Sequence, residues 1–188
     1  MFLLLFLFLI LQRVTELFIA KRNETVMKNR GAYEVGSEHY KYIVAVHVFF
    51  FISLFVEYHL GIKGISPFWP ILLPLFIGAQ IIRIWALTSL GEYWNTKIII
   101  LPNATIVSKG PYKYIRHPNY FIVGLEILTI PLLFQCYITA IVFTALNIAV
   151  LSVRIPAEEK ALMDLKSYKK EFTNRKRFVP VKPFPEPE

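Results

Sequence analysis

NYFIVGLEILTIPLLFQCYITAIVFTALNIAVLSV, residues 119–153, is a run of 35 residues with a single carboxylate, Glu126, and no lysine or arginine. A bilayer core about 30 Å thick is crossed by roughly 20 apolar residues in a helix. One span would leave much of this run over, while two short spans use it up. Pro131 and the polar step Gln135-Cys136 fall near its middle, where a helix breaks most readily. The run therefore predicts a tight helical hairpin, with spans over 120–134 and 137–153.

Working outward, three more apolar stretches have bilayer length: 2–20, 42–60 and 68–90. Pro70 suits the first turn of the third, and Pro74 is placed to kink it. Gly61, Gly64 and Pro67 mark a turn before it. The chain starts apolar, without a basic segment ahead of the apolar one, so the first stretch is expected to be a retained span and not a cleaved signal. Polar segments fill 21–40 and 91–118, the latter interrupted by apolar residues 98–101. The tail from Arg154 patterns as an amphipathic helix ending before Pro180, then an irregular proline-rich end. No internal repeat is visible. The expected fold class is an all-α integral membrane protein of about five transmembrane helices, with a polar loop and a C-terminal helix on one side.

Charge tests the layout. Segment 21–41 holds five Lys/Arg, segment 91–118 four, and the tail from Arg154 nine; the loop 61–67 has Lys63 alone, and the turn near 135 none. Five spans put all three basic segments on one side; four spans would separate the tail from the loop. By the positive-inside rule that side is the cytosol, with the N-terminus outside. The net charge of +8 lies between apolar runs, which points to anionic lipid headgroups as partners and away from nucleic acid. The lone cysteine, Cys136, makes no internal disulfide. Spaced-histidine metal motifs are absent, and no metal or obligate protein partner is expected.

Polar residues recur inside the spans: Gln12, Arg13 and Glu16 in the first, Gln80 and Arg83 in the third, then Glu126, Asn147 and Arg154. Ionisable groups at such depths are costly, so they face the bundle or a water-filled cavity. They read either as ion pairs between helices, Arg13 or Arg83 with Glu126 or Glu16, or as a cavity open to the cytosol; as a cluster they favour the cavity.

The densest chemistry lies in KGPYKYIRHPNY, residues 109–120. A Gly-Pro turn leads into an aromatic and cationic strip, and Pro118 opens a helix. Arg116, His117 and helix N-terminal amides would converge at the membrane surface, a setting for a carboxylate-bearing ligand. The same residue types also serve as plain interfacial anchors. Further on, Arg154 ends the last span, and Glu158-Glu159 follow at a predicted helix start, where acids are favoured by the helix dipole.

The set Gly110-Pro111-Tyr112 … Arg116-His117-Pro118-Asn119-Tyr120, then Arg154-Ile155 … Glu158-Glu159 … Leu162, resembles the isoprenylcysteine carboxyl methyltransferase family. So do Arg83-Ile84-Trp85-Ala86-Leu87 … Leu90-Gly91 … Trp94 and the closing Arg177-Phe178-Val179-Pro180. The opening Arg13-Val14-Thr15-Glu16-Leu17 is similar to bacterial members. The resemblance covers about residues 80–180. It divides a single membrane domain, 1–188, into N-terminal spans on the substrate side (1–79), a cofactor half (80–180) and a proline-rich end (181–188). One departure is Phe172, following Tyr168, where the family often carries a second tyrosine.

The resemblance implies S-adenosylmethionine as cofactor, held by the loop and tail; no Gly-x-Gly-x-x-Gly after a strand points to a Rossmann domain instead. Gly110, Pro111 and Tyr112 would shape the wall of the site, with Arg116, His117, Tyr120, Glu158, Glu159 and Leu162 lining it. Arg83 and Arg154 would hold an anionic acceptor, a carboxylate or acidic hydroxyl on a lipophilic molecule drawn from the bilayer, prenyl-cysteine-like or alkylpyrone-like. Glu126 would act as base for an enol. Alternatives are a phospholipid or amine N-methyltransferase, an NADPH-dependent membrane reductase of related architecture, and a non-enzymatic membrane scaffold.

Overall fold

A computed structural model describes residues 1–61, 64–102, 104, 106–163 and 177–178. Five α-helices carry the architecture: α1 (Phe2–Asn29), α2 (Ser37–Leu60), α3 (Trp69–Leu90), α4 (Pro118–Leu133) and α5 (Tyr137–Met163). Four of them, all but α4, are long and apolar enough to cross a membrane. The fourth is a shorter apolar helix of 16 residues, about 24 Å at 1.5 Å per residue. The protein is a helical integral membrane protein, as its sequence predicts.

The hairpin forms where the 35-residue run was expected to break. Pro131 and Gln135 end α4 together: Cys136 N–H bonds back to Pro131 O at 2.8 Å, while Gln135 takes φ +60°. A left-handed residue just past a helix end lets the chain reverse within two or three residues. The next helix is capped from outside itself. Glu57 of α2 accepts from the backbone N–H of Ile138 (2.9 Å) and Thr139 (2.7 Å), and from the Thr139 hydroxyl (2.6 Å).

Three helices overrun their apolar stretches, and α2 does so at its start, at Ser37 instead of residue 42. The first continues from the expected end at residue 20 to Asn29, and the fifth runs through Arg154 to Met163 with Pro156 inside it. Residues 154–163 are thus part of the last span's helix and not a separate element; the rest of the expected tail helix lies outside the described residues. A short antiparallel ribbon that the sequence reading did not anticipate joins the two polar segments. Strand β1 (Tyr33–Val35) pairs with β2 (Ile98–Ile100), Glu34 opposite Ile99.

Lipid is as apolar as a leucine side chain, so these helices associate by close packing and buried polar contacts. Ala79 and Ala86, each 1% exposed, give α3 a small-residue face against Ile122 and Leu125 of α4. Away from the polar loops, aromatic residues fill the bundle: Phe2 stacks on Tyr58 with ring centroids 3.7 Å apart and meets Phe134 edge-on at 5.0 Å. The N-terminus of α1, Gly61, residues 64–67 and the 134–136 turn therefore share one end of the bundle. The ribbon, the described residues between 91 and 117 and the end of α5 share the other, the polar end.

Candidate functional site

The polar end is built on the last turns of α1. Asn23, buried there, donates to the carbonyls of Gly91 (3.0 Å) and Trp94 (2.7 Å), anchoring the loop that follows α3. Arg30 forks onto both oxygens of Glu92. Lys97 donates to Glu24 (3.0 Å) and Glu34 (3.1 Å), clasping the ribbon to the helix. Burial would lower the Lys97 ammonium pKa, but the two carboxylates outweigh it and hold the value above normal.

From this base the loop turns back toward α3. Gly110 adopts φ +61°, and a Cβ there would lie 1.9 Å from Ser89 Oγ and 2.8 Å from Ser89 Cβ. Glycine is the residue that meets both the left-handed backbone and the close approach. The turn Gly110–Lys113 then buries Pro111 and Tyr112 against α3. Burial pushes the Tyr112 phenol pKa up, and Glu158 adds to the effect, so it stays protonated. Pro118 begins α4, and His117, 4% exposed, precedes it with its backbone N–H on Arg177 O.

Glu159 is the hub. His117 Nε2 lies 3.1 Å and Arg116 Nη1 3.4 Å from its Oε1, and Arg177 donates from Nε (3.0 Å) and Nη2 (2.6 Å). Beside it, Tyr120 donates its hydroxyl proton to Glu158 and accepts from Arg154 Nε at 3.1 Å. Arg154 Nη2 donates to Thr96 O at 2.7 Å. Its Nη1 is buried and has no hydrogen-bond partner among the described residues. Of these groups Arg116, His117, Tyr120, Arg154 and Glu158 border a cleft of two adjoining parts, while Glu159 and Arg177 do not line it. One part is walled by Ile98, Ile100, Val107 and Leu162; the other by Thr96, Tyr120 and Arg154; Tyr112, Arg116, His117 and Glu158 border both.

Two of the sequence-derived acceptor residues lie elsewhere. Deeper in the bundle, Arg83 Nη1 donates to both oxygens of Glu16 (3.0 and 3.1 Å), and its Nε and Nη2 grip Glu126. Arg13 bridges the same two carboxylates, Gln12 donates to Glu16 and Gln80 to Glu126. Two arginines and two glutamates make a knot of zero net charge across α1, α3 and α4. Of the two readings offered by the sequence, this arrangement is the ion-paired one. Arg83 and Glu126, 4% and 2% exposed, do not border the cleft. Arg154 does, and so does Tyr112; Gly110 and Pro111 form the turn that positions Tyr112 and do not line the cleft themselves.

The sequence reading passed over Thr96 and Asn95, and it marked 98–101 as an apolar stretch without placing it at the site. A signal was present: Ile98-Ile99-Ile100 is a β-branched run after Asn95, and such runs read as strands.

Fold and site define a polytopic membrane protein with a polar, charge-lined cleft at one end of a helical bundle. Its relatives narrow this. The profile of the isoprenylcysteine carboxyl methyltransferase family matches residues 72–164, from α3 through the cleft to the end of α5. An uncharacterized protein, YpbQ, of Bacillus subtilis is 49% identical over 164 residues, covering 87% of this chain and 98% of its own. An uncharacterized protein of Haemophilus influenzae is 30% identical over 154 residues, covering 81% and 90%. The chain belongs to the isoprenylcysteine carboxyl methyltransferase family, and with it to the membrane methyltransferases that act on lipid-like substrates.

Proposed function

We propose that the protein is an S-adenosylmethionine-dependent O-methyltransferase whose acceptor is a lipophilic carboxylate or acidic hydroxyl, prenyl-cysteine-like or alkylpyrone-like. The observation that carries this reading is the convergence of His117, Arg116 and Arg177 on Glu159 beside the Tyr120–Glu158–Arg154 chain. That donor set fits the cofactor. An amino-acid zwitterion and a ribose diol require cations and carboxylates side by side, and a purine requires an apolar wall. Arg116 and His117, set in place by Glu159, would hold the carboxylate of the methionine moiety, and Glu158 would hold its ammonium or the ribose hydroxyls. Ile98, Ile100 and Leu162 would cover the purine.

When bound, the cofactor supplies an electrophilic methyl group on a sulfonium. The chain's own part is positioning, which in favourable cases removes about 7–11 kcal/mol of a barrier. Arg154 is fixed by Tyr120 and by Thr96 O, which leaves Nη1 to hold an anionic oxygen of the acceptor. A carboxylate acceptor is already ionised and needs no base. In this proposal Arg83 and Glu126 keep α1, α3 and α4 in register and so preserve the frame. Residues 1–79 serve the acceptor and 80–180 the cofactor, with Arg154 of the second part reaching the acceptor's anionic oxygen. The polar end faces the cytosol, in line with its lysines and arginines.

Calorimetric titration of the detergent-purified protein with S-adenosylhomocysteine, with NADPH titrated in parallel, tests the reading. Binding of the first and not the second is the expected result. No S-adenosylhomocysteine binding by folded protein, or NADPH binding in its place, overturns it.

A further inference from the structure

Arg154 carries the cofactor half across to the acceptor; α1 crosses the same division in the other direction. The buried residues Leu9, Glu16, Ala20, Asn23 and Met27 recur at intervals of seven, four, three and four along α1, and so form one stripe down a single helix face. Its middle lies in the arginine–glutamate knot, where Glu16 meets Arg83. The apolar stretch of α1 ends at residue 20, yet the buried stripe continues for about two more turns into the polar end. A helix that has left the lipid keeps a buried face only where protein covers it. Here the cover is the loop after α3 and the cleft.

Each member of that continuation has a place there. Ala20 O accepts from Asn95 Nδ2 at 3.3 Å. Asn23 Nδ2 donates to the carbonyls of Gly91 and Trp94, the first and last residues of a turn closed by Trp94 N–H on Gly91 O at 3.1 Å. Next to these two carbonyls along the chain, Leu90, Tyr93 and Asn95 border the cleft. Met27, 3% exposed, borders it directly. Its carbonyl accepts from Ala32 N–H at 3.1 Å, and the following residue, Tyr33, pairs with Ile100. Met27 therefore sits by the ribbon, in the part of the cleft that Ile98, Ile100 and Leu162 wall. The family profile begins at residue 72, so α1 lies outside it.

We propose that α1 is part of the cofactor site: Met27 touches the purine, and Asn23 is the positioning residue that holds the loop wall beside it. The proposal rests on the methyltransferase reading and deepens it by adding a helix to the cofactor site. The side chains suit these tasks. A thioether is polarisable and unbranched, adapts to irregular gaps, and makes favourable contacts with aromatic rings. Asn23 spends its amide N–H groups on two backbone carbonyls, so it acts on a ligand through the loop and not by touching it.

The chain has three methionines, at 1, 27 and 163, which makes the contact directly observable. Protein carrying 13C at the methionine methyls is purified in detergent and saturated with S-adenosylhomocysteine; Met27→Leu assigns the Met27 signal by its loss. Nuclear Overhauser contacts from the Met27 methyl to the adenine ring protons are expected, with the Met1 methyl, at the opposite end of the bundle, unmoved. Calorimetry on the same preparations gives the dissociation constant and the number of sites. Met27→Leu, which nearly conserves volume, is expected to bind within about twofold of wild type, and Met27→Ala about fivefold more weakly. Asn23→Ala is expected to raise the dissociation constant by about tenfold and to keep the number of sites, because two buried carbonyls lose their donor. A residue that only stabilised the fold would lower the number of sites and leave the constant unchanged. Thr25→Ala, exposed on the same helix, should change neither. Bound S-adenosylhomocysteine without a contact between its adenine protons and the Met27 methyl, or an Asn23→Ala constant equal to that of wild type, overturns the proposal and leaves the methyltransferase reading intact. Wild-type protein that does not bind S-adenosylhomocysteine overturns that reading, and the proposal with it.

Discussion

Arg83 on α3 grips the carboxylate of Glu126 on α4 two-pronged, Nε to one oxygen at 3.1 Å and Nη2 to the other, with both side chains almost wholly withdrawn from the surface. The pair is the centre of the knot with Arg13 and Glu16. Removing one member leaves an uncompensated buried charge, which typically costs 3–5 kcal/mol, about the largest effect a single ion-pair residue shows. Replacing both at once leaves the Arg13–Glu16 pair neutral. Glu126→Ala is therefore expected to lower stability by roughly 3–5 kcal/mol, and Arg83→Met combined with Glu126→Met by clearly less. Thermal unfolding in detergent checks the ranking. A double variant as damaged as Glu126→Ala would show that the knot acts by something other than charge balance.

Gly110 packs where a methyl group would meet Ser89. Gly110→Ala brings a new Cβ within 2.8 Å of Ser89 Cβ and forces alanine into φ +61°. The left-handed backbone and the overpacking together cost roughly 2–4 kcal/mol. The loss is expected to appear in S-adenosylhomocysteine affinity as well as in stability, because the same turn places Tyr112 in the cleft wall. Adding Ser89→Gly should recover the steric part and leave the backbone part. A Gly110→Ala protein with unchanged thermal stability would show that the turn is not confined.

What the sequence disclosed follows from the range of each signal. Hydropathy found all five apolar helices, four of them long enough to cross a membrane, and length together with Pro131 and Gln135 divided the long run correctly. It missed the ends of α1 and α5 because it reports on lipid, not on helicity. Residues 21–29 and 154–163 are rich in Lys, Arg, Glu and Ala, good helix formers that extend a helix into water once the span has nucleated it. The ribbon was illegible for another reason: Tyr33 and Ile100 pair across two intervening helices, and no local pattern records a partner that distant. At the site, short motifs such as Arg116-His117-Pro118 and Glu158-Glu159 drew attention to their own residues. Thr96 carries no motif; its place comes from contacts with Tyr40 and Arg154, 56 and 58 residues away.

Glu57 caps a helix to which it does not belong. Two backbone N–H groups of α5 and the Thr139 hydroxyl converge on its carboxylate, close to the positive end of the helix dipole. Capping interactions contribute about 0.5–2 kcal/mol. Glu57→Ala is expected to lower stability by about 1–2 kcal/mol, with Glu57→Gln intermediate because it keeps one acceptor oxygen. S-adenosylhomocysteine affinity should not move in either variant, since the cap lies at the end of the bundle opposite the cleft. A loss of affinity matching the loss of stability would show that the two ends are coupled.

Glu159 and Arg154 occupy one helix a little over one turn apart, yet the proposed mechanism gives them separable tasks. Glu159 gathers His117, Arg116 and Arg177 on the cofactor side. Glu159→Gln keeps the shape and removes the charge those three donors face. Hydrogen bonds involving a charged group contribute about 1.5–3 kcal/mol each, so S-adenosylhomocysteine affinity is expected to fall tenfold or more, ~1.4 kcal/mol at the least. Arg154→Lys keeps the charge and loses the fork that bonds Tyr120, Thr96 O and, in the proposal, the acceptor. Its S-adenosylhomocysteine affinity should change little. With a prenyl-cysteine carboxylate as acceptor, its kcat/KM should fall by about 100-fold, the scale of one lost charge-assisted contact in a transition state. The crossed pattern is the informative result. If Arg154→Lys weakened S-adenosylhomocysteine as much as Glu159→Gln did, the arginine would belong to the cofactor, and the acceptor's anion would require a different partner.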